Sequence, residues 1–323
     1  MNTQPGSDGT TAPFAVVSVD VGGTKIAGGV LEYRVPGEKP EIVLRGSVPT
    51  DALEGGDAVM GRITALINAL VGDYGKPVAA AGVATTGRVC ADTGKIGVVL
   101  AENIMPGWSN QPVREKVEKA CGLPCAVLND VQGHALGEAR WGGARGCSNC
   151  IVAAPGTGLG GSFIVDGKLV RGARGFAGEI GHTVSSRAAG IPCPCGGEGH
   201  LESVASGSGI EARYAVLGGE PLTGPEISER AYAGDELAKR VIEDAGLALG
   251  ESIASWANMF DPELVLLSGS VLKAGPLWFD ALKRGISSQM SAVDDLPLAE
   301  ATLGGDAPLY GAAEHACDSF NLR

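Results

Sequence analysis

A chain of 323 residues, 44% of them hydrophobic, is long enough for two domains, each with its own core. The net charge of −12 argues against a nucleic-acid surface, which needs a basic patch, but is compatible with an anion held locally by backbone amides. No apolar run of about 18 residues occurs, the opening MNTQPGSDGTTA has no apolar signal-peptide core, and eight cysteines in so long a chain do not read as a disulfide framework. A cytoplasmic protein with no membrane span and one metal site is expected, with residues 1–13 forming a flexible N-terminus.

Residues 14–19 (FAVVSV) are a β-branched apolar run ending at Asp20. Asp20-Val21-Gly22-Gly23-Thr24-Lys25 and then IAGGVLEY read as strand, glycine turn, strand. Glycines let backbone N–H groups approach a phosphate, and Thr24 adds a hydroxyl; an ordinary hairpin turn has the same pattern. It is not a Walker loop, because GxxxxGK[ST] is absent and a strand follows. A third strand covers 41–48. Residues 56–74 read as an amphipathic helix with Val59, Met60, Ile63, Leu66, Ile67, Leu70 and Val71 on its core face. A buried strand over 78–85 ends in the polar turn Thr85-Thr86-Gly87-Arg88, at the strand end where α/β proteins bind ligands. A strand over 94–100 and a loop with Asn103 follow; Asn103 either donates and accepts toward sugar hydroxyls or simply forms the turn.

A helix over 111–120 leads to the strand CAVL and to Asn129-Asp130, then a helix through Trp141. Asp130 is either a helix N-cap or a functional carboxylate. Context favours the second. The strand IVAAP, the turn Gly156-Thr157-Gly158-Leu159-Gly160-Gly161, the strand SFIV and the Asp166-Gly167 turn repeat the arrangement of 14–48. A duplicated unit is expected, with two phosphate-binding turns facing across a cleft and one carboxylate between them in sequence. That combination suggests phosphoryl transfer. Helices are read over 203–217, 235–259, 275–290 and 309–317, and strands over 264–267 and 298–303. Ser268-Gly269-Ser270 is either a close-approach turn for a nucleotide or a plain connection. Cys147-Ser148-Asn149-Cys150 has metal-like spacing but no second pair nearby and is taken as structural.

The stretch from Gly178 to Glu202 is the densest in chemistry. His182, Cys193, Cys195 and His200 supply the four soft or borderline ligands of a tetrahedral zinc site. Here the chain resembles the ROK family (repressors, open reading frames, sugar kinases), whose signature is E-x-G-H followed by C-x-C-G-x-x-G-C-x-E. Glu179-Ile180-Gly181-His182 and the run from Cys193 to Glu202 match it, with His200 where the family usually has a third cysteine. The likeness runs from about residue 16 to 313.

The resemblance implies an α/β, actin/hexokinase-like (ribonuclease H-like) duplicated fold whose two domains close over an active-site cleft. The smaller would comprise 14–128 and 309–323, the larger 129–308. It implies ATP, Mg²⁺ and a structural Zn²⁺. Asp20, Gly22, Gly23, Thr24 and Lys25 would form the first ATP-binding motif, Gly156, Thr157 and Gly158 the second, and Gly269 the adenosine motif. Asp130 would be the catalytic base, and Asn103, Asn129, Asp130, Glu179, His182 and Glu202 would contact the sugar. A homodimer is implied. Ala84-Thr85-Thr86-Gly87, Gly181-His182-Thr183-Val184 and residues 205–210 look most like N-acetylmannosamine kinases, whereas 103–108 look like the glucokinases. The expected reaction is 6-phosphorylation of N-acetylmannosamine, with glucose or N-acetylglucosamine as the alternative sugar. A ROK repressor is disfavoured, because only nineteen residues precede Asp20 and a helix-turn-helix domain needs several dozen.

Overall fold

The computed structural model describes residues 12–97, 105–290 and 295–323. The chain forms two compact units. One takes the chain up to Gly137 together with Asp306–Arg323, and the other is Glu138–Gly305.

In the first unit, β1 (Phe14–Val21), β2 (Lys25–Tyr33) and β3 (Glu41–Pro49) form an antiparallel meander. Next come α1 (Gly56–Tyr74), β4 (Ala80–Thr85), α2 (Val113–Cys121), β5 (Cys125–Asn129) and the start of α3 (Asp130–Trp141). β4 lies parallel to β1, and β5 parallel to β4, giving the sheet order β3-β2-β1-β4-β5. Of the seven residues expected on the core face of 56–74, Val59, Met60, Ile63, Leu66, Ile67 and Leu70 are buried in the core of this unit, and Val71 packs against it partly buried.

The second unit repeats the plan. β6 (Cys150–Pro155), β7 (Leu159–Val165) and β8 (Lys168–Leu169) form the meander. They are followed by α4 (Glu202–Ala205), α5 (Gly207–Val216), α6 (Gly224–Ala233), α7 (Glu236–Phe260), β9 (Leu264–Leu267), α8 (Pro276–Gln289) and β10 (Leu298–Glu300). The sheet order β10-β9-β6-β7-β8 is the first order read from the other edge, with β9 parallel to β6 and β10 parallel to β9. The duplication expected from the two glycine hairpins is therefore present in both sheets. The last helix, α9 (Ala307–Phe320), packs on β1, β4 and β5 of the first unit.

Several expectations need correction. Residues 94–97 of the expected 94–100 strand follow a turn at 91–93 and form no strand, with an isolated bridge from Ile96 to Val89; 98–100 lie outside the described residues, as do Asn103 and residues 291–294. The helix expected over 203–217 breaks at Ser206, whose extended backbone and side chain cap α5 by accepting from Gly209 N. α6 has no counterpart among the expected helices. The units part inside α3, at Gly137 and Glu138, rather than at 128/129. A Cβ on Gly137 would lie 2.2 Å from Ala307 O, so the beginning of α3 packs against α9 backbone to backbone. The fully buried carboxylate of Glu138 instead accepts from the amides of Gly143 at 2.7 Å, Leu303 at 2.7 Å and Thr302 at 3.1 Å. Neighbouring residues of one helix thus belong to different packing sets. Cys147 and Cys150 flank a turn whose amides at Ser148 and Asn149 donate to Glu263 Oε1, and all eight cysteines are free thiols.

Candidate active site

The end of β1 delivers half-buried Asp20, then an exposed turn at Gly23, Thr24 and Lys25. Gly22 N donates to Lys25 O at 3.0 Å and closes the turn. Thr50 then binds the turn from behind: its Oγ1 donates to Gly22 O at 2.7 Å and its N to Thr24 O at 2.9 Å. With these carbonyls engaged, the amides of Gly23 and Thr24 have no acceptor among the described residues. Burial first, and then the nearby Asp130 carboxylate, push Asp20 up to about 7 against the opposing pull of Lys25.

Val21, Thr85 and Asn129 are neighbours across β1, β4 and β5, so the ends of three parallel strands meet on one rung. Asn129 is the cap of α3: its Oδ1 accepts from Val131 N at 2.9 Å and Gln132 N at 3.4 Å. Asp130 is therefore the first helical residue and not the cap. Its Oδ1 accepts from Val131 N at 2.9 Å. The turn after β4 is held by side chains: Asn129 Nδ2 donates to Gly87 O at 3.0 Å, and the indole of fully buried Trp108 to Thr86 O at 3.2 Å.

The second unit carries the matching turn. Gly156 N donates to Gly158 O at 2.9 Å. Gly156 O accepts from Gly207 N at 2.8 Å, and Thr157 O accepts from both Ser208 N at 3.1 Å and Ser208 Oγ at 2.8 Å. Here too the carbonyls are engaged from behind, and the amides of Thr157 and Gly158 have no acceptor among the described residues. Gly269 adopts φ 99 and ψ 169, a conformation essentially reserved for glycine, and lies directly on this turn. Glu202 Oε2 accepts from Leu159 N at 2.9 Å, which sets this carboxylate beside Gly158. Glu179 and His182 sit on a short 3-10 turn, with His182 Nε2 3.7 Å from Glu179 Oε2.

His182, Cys193, Cys195 and His200 converge, their ligand atoms all within 4.8 Å of one another. His182 Nδ1 lies 3.8 Å from Cys193 Sγ, and His200 Nδ1 3.1 Å from Cys195 Sγ. Bridges Val184–His200 and Pro192–Glu198 fold the loop back on itself and bring the two halves together. A tetrahedral zinc with Zn–S of about 2.3 Å and Zn–N of about 2.0–2.1 Å sets donor atoms roughly 3.3–3.8 Å apart; the two pairs at 3.8 and 3.1 Å lie close to that spacing, and two thiols with two imidazoles are donors of the kind zinc takes. Held through Nδ1, His182 would keep its proton on Nε2, the nitrogen that faces Glu179.

Of the residues singled out in the sequence, Asp20, Gly22, Gly23, Thr24, Lys25, Asn129 and Asp130 gather at one set of strand ends in the first unit. Gly156, Thr157, Gly158, Gly269, Glu179, His182 and Glu202 gather around the second turn and the Cys/His loop. Thr50, Trp108, Gly207 and Ser208 were missed. Only the second pair carried a signal, lying in a Ser/Gly run at a helix start; Thr50 and Trp108 act through contacts distant in sequence.

Two units that repeat one five-stranded sheet, each with a Gly/Thr turn after its first strand, define an α/β fold of the actin and hexokinase type. The chain belongs to the ROK family, whose family description matches residues 16–318. It is 33% identical over 315 residues to a glucokinase of Halalkalibacterium halodurans, covering 91% of this chain and 92% of that one. It is 32% identical over 300 residues to an N-acetylmannosamine kinase of Yersinia pseudotuberculosis, covering 92% and 96%. Among solved structures, a ROK hexokinase from Thermus thermophilus superposes with a TM-score of 0.84 at 32% identity, covering 95% of this chain and 99% of that one. A ROK family glucokinase from Streptomyces griseus in complex with glucose and AMPPNP gives 0.73 at 29%, covering 94% and 99%. Among the described residues, no helix is long and apolar enough to cross a membrane.

Proposed function

We propose that this chain transfers the terminal phosphoryl group of ATP, taken up as its Mg²⁺ complex, to the 6-hydroxyl of a hexose or N-acetylhexosamine. One observation carries the reading. Each unit has a Gly/Thr turn whose carbonyls are engaged from behind and whose amides at Gly23 and Thr24, or Thr157 and Gly158, have no acceptor among the described residues. Paired amides without a protein acceptor are an anion cradle, and each suits a phosphate group. The AMPPNP-bound relative supports ATP as the donor.

A sugar hydroxyl is a poor nucleophile at neutral pH. Asp130, released from capping by Asn129, is the base that accepts its proton as the new bond to phosphorus forms. The amides of the two turns, with Lys25 beside the first, would offset the charge that spreads over the phosphate oxygens, and the Mg²⁺ that accompanies ATP would supply further positive charge there. Glu179, His182 and Glu202 hold the ring hydroxyls, as does Asn103, which lies outside the described residues. His182, Cys193, Cys195 and His200 would hold a zinc whose four protein ligands leave no open position, so its contribution is to fix the loop that carries the sugar contacts.

N-acetylmannosamine is the favoured sugar, on the likeness of Ala84-Thr85-Thr86-Gly87 and Gly181-His182-Thr183-Val184 to its kinases. Glucose is the second reading, favoured by 103–108 and by relatives named glucokinase at 33% identity, against 32% for the N-acetylmannosamine kinase. The cradle is tested on protein labelled with ¹⁵N-glycine and ¹⁵N-threonine. Adding Mg²⁺ and AMPPNP should shift the amides of Gly23, Thr24, Thr157 and Gly158. If those four signals stay in place while nucleotide binds, the phosphates lie elsewhere.

A further inference from the structure

Thr50 follows the last residue of β3. The register sets Pro49 opposite Lys25, the first residue of β2, so the chain next runs alongside the first Gly/Thr turn. We infer that Thr50 is a positioning residue for the nucleotide, acting by holding that turn in its phosphate-binding form. The inference rests on reading the turn as a phosphate cradle. Thr50 is fully buried, so any effect on a ligand passes through the groups it holds. All three of its polar atoms are engaged: Oγ1 donates to Gly22 O at 2.7 Å, N donates to Thr24 O at 2.9 Å, and O accepts from Arg62 Nη1 of α1 at 3.2 Å.

The two bonds to the turn bracket Gly23. In a planar trans peptide the C=O and the N–H point in opposite directions. Gly22 O and Gly23 N share one peptide, so fixing that oxygen directs the Gly23 N–H away from Thr50. The bond to Thr24 O fixes the Thr24–Lys25 peptide, and the peptide bearing Thr24 N lies between the two. Gly22 and Gly23 have the backbone freedom to turn these groups elsewhere, and the clamp removes it. Donors held in place before the anion arrives need no reorganisation. The second turn has the same device by another route. Ser208, at a helix start and not a strand end, gives its N–H at 3.1 Å and its O–H at 2.8 Å to Thr157 O, which shares a peptide with Gly158 N.

Three variants test the clamp, each keeping the backbone N–H and O of residue 50. Thr50→Ala deletes the hydroxyl, Thr50→Val puts a methyl group where Gly22 O needs a donor, and Thr50→Ser keeps the hydroxyl. Ala and Val should raise KM for ATP about tenfold, with sugar Kd by calorimetry within about twofold of wild type; Ser should bring KM back to within about threefold. Either hydroxyl-free variant alone suffices, so one that fails to fold leaves the test intact. In nucleotide-free protein labelled with ¹⁵N-glycine and ¹⁵N-threonine, Ala or Val should displace the Gly23 and Thr24 amide signals and leave those of Thr157 and Gly158 in place. Wild-type KM for ATP without the hydroxyl would overturn the inference. So would a Ser variant as impaired as Ala, which would assign the effect to lost packing, or a sugar Kd that rises in step with KM for ATP. Gly23 and Thr24 signals that stay in place when the wild-type protein binds Mg²⁺ and AMPPNP would instead bring down the cradle reading itself, whatever the variants do.

Discussion

Gly269→Ala is the substitution whose consequence follows most directly from backbone geometry. At φ 99 and ψ 169 the backbone sits in a region that side chains do not adopt, a strain of about 1–3 kcal/mol. The added Cβ would also lie 2.3 Å from Pro155 O, 2.6 Å from Pro155 C and 3.0 Å from Gly156 N, where ordinary contact begins at 3.4 Å. These are backbone atoms at the entry to the second Gly/Thr turn, so the clash is relieved only by moving that turn by about 1 Å, at a further cost of roughly 1–3 kcal/mol. A total of roughly 2–6 kcal/mol lowers Tm by roughly 5–20 °C. The same displacement takes the Thr157 and Gly158 amides out of place, so KM for ATP should rise about tenfold or more while sugar Kd stays within about twofold. Gly167→Ala is the control: its φ is 69, but nothing lies within 4 Å of the new carbon, so it should cost only backbone strain and leave KM for ATP unchanged. A coupled assay across ATP concentrations, with thermal denaturation of both variants, reads the outcome. Wild-type KM for ATP and wild-type Tm in Gly269→Ala would refute the reasoning.

Asp130→Asn should bind sugar normally and lose roughly 10²-fold or more in kcat; single-turnover kinetics with sugar calorimetry checks both halves. His200→Cys should retain about one zinc per chain and most activity, whereas His200→Ala should lose metal after dialysis against a mild chelator and show a higher sugar KM; full zinc and normal KM in His200→Ala would remove His200 from the ligand set. Asp20 has a pKa raised from 3.8 to about 7 in the folded chain, by burial and then by Asp130. The folded state therefore keeps a proton that the unfolded chain has lost, and wild-type stability should fall as pH rises through that window by up to about 4 kcal/mol and level off above it. Asp20→Asn should lack this component, so denaturant titrations at pH 5 and pH 8 that run parallel for the two proteins would contradict it. In a sugar panel, kcat/KM for N-acetylmannosamine should exceed that for glucose at least about tenfold; glucose ahead would transfer the specificity to the second reading without touching the kinase assignment.

Local pattern carried much of the fold. The stripe from Val59 to Leu70 is a single uninterrupted helical face, and the helix found is Gly56–Tyr74. Each hairpin was marked by its glycine turn, and the repeat of that mark gave the duplication before any pairing was known. α6 escaped because its stripe is thin, with only Ile227 and Ala231 buried, although Thr223 and Glu226 form a capping box with Pro225 at its start. Residues 94–97 looked like a strand from composition, but Ile96 makes an isolated bridge to Val89 and its N–H donates to Gln111 O in a loop rather than to a strand. In the site, residue type sufficed for the Cys/His cluster, since those four side chains have few alternative uses so close together. It did not suffice for Asn129 and Asp130. Either can cap a helix, and which one does depends on the single residue at which the backbone turns helical. Thr50, which engages the first turn from the end of β3, becomes visible only once the register Lys25 to Pro49 is known.

The central claim is phosphoryl transfer from ATP to a sugar 6-hydroxyl, and ³¹P NMR of the complete reaction tests it most directly. Purified protein with Mg²⁺, ATP and, in turn, N-acetylmannosamine, glucose and N-acetylglucosamine should give ADP and a hexose 6-phosphate in equal amounts with at least one of them, and no ADP without sugar. ADP formed with free phosphate at the same rate whether or not sugar is present, phosphate carried on the anomeric oxygen, or no turnover with any of the three would contradict it.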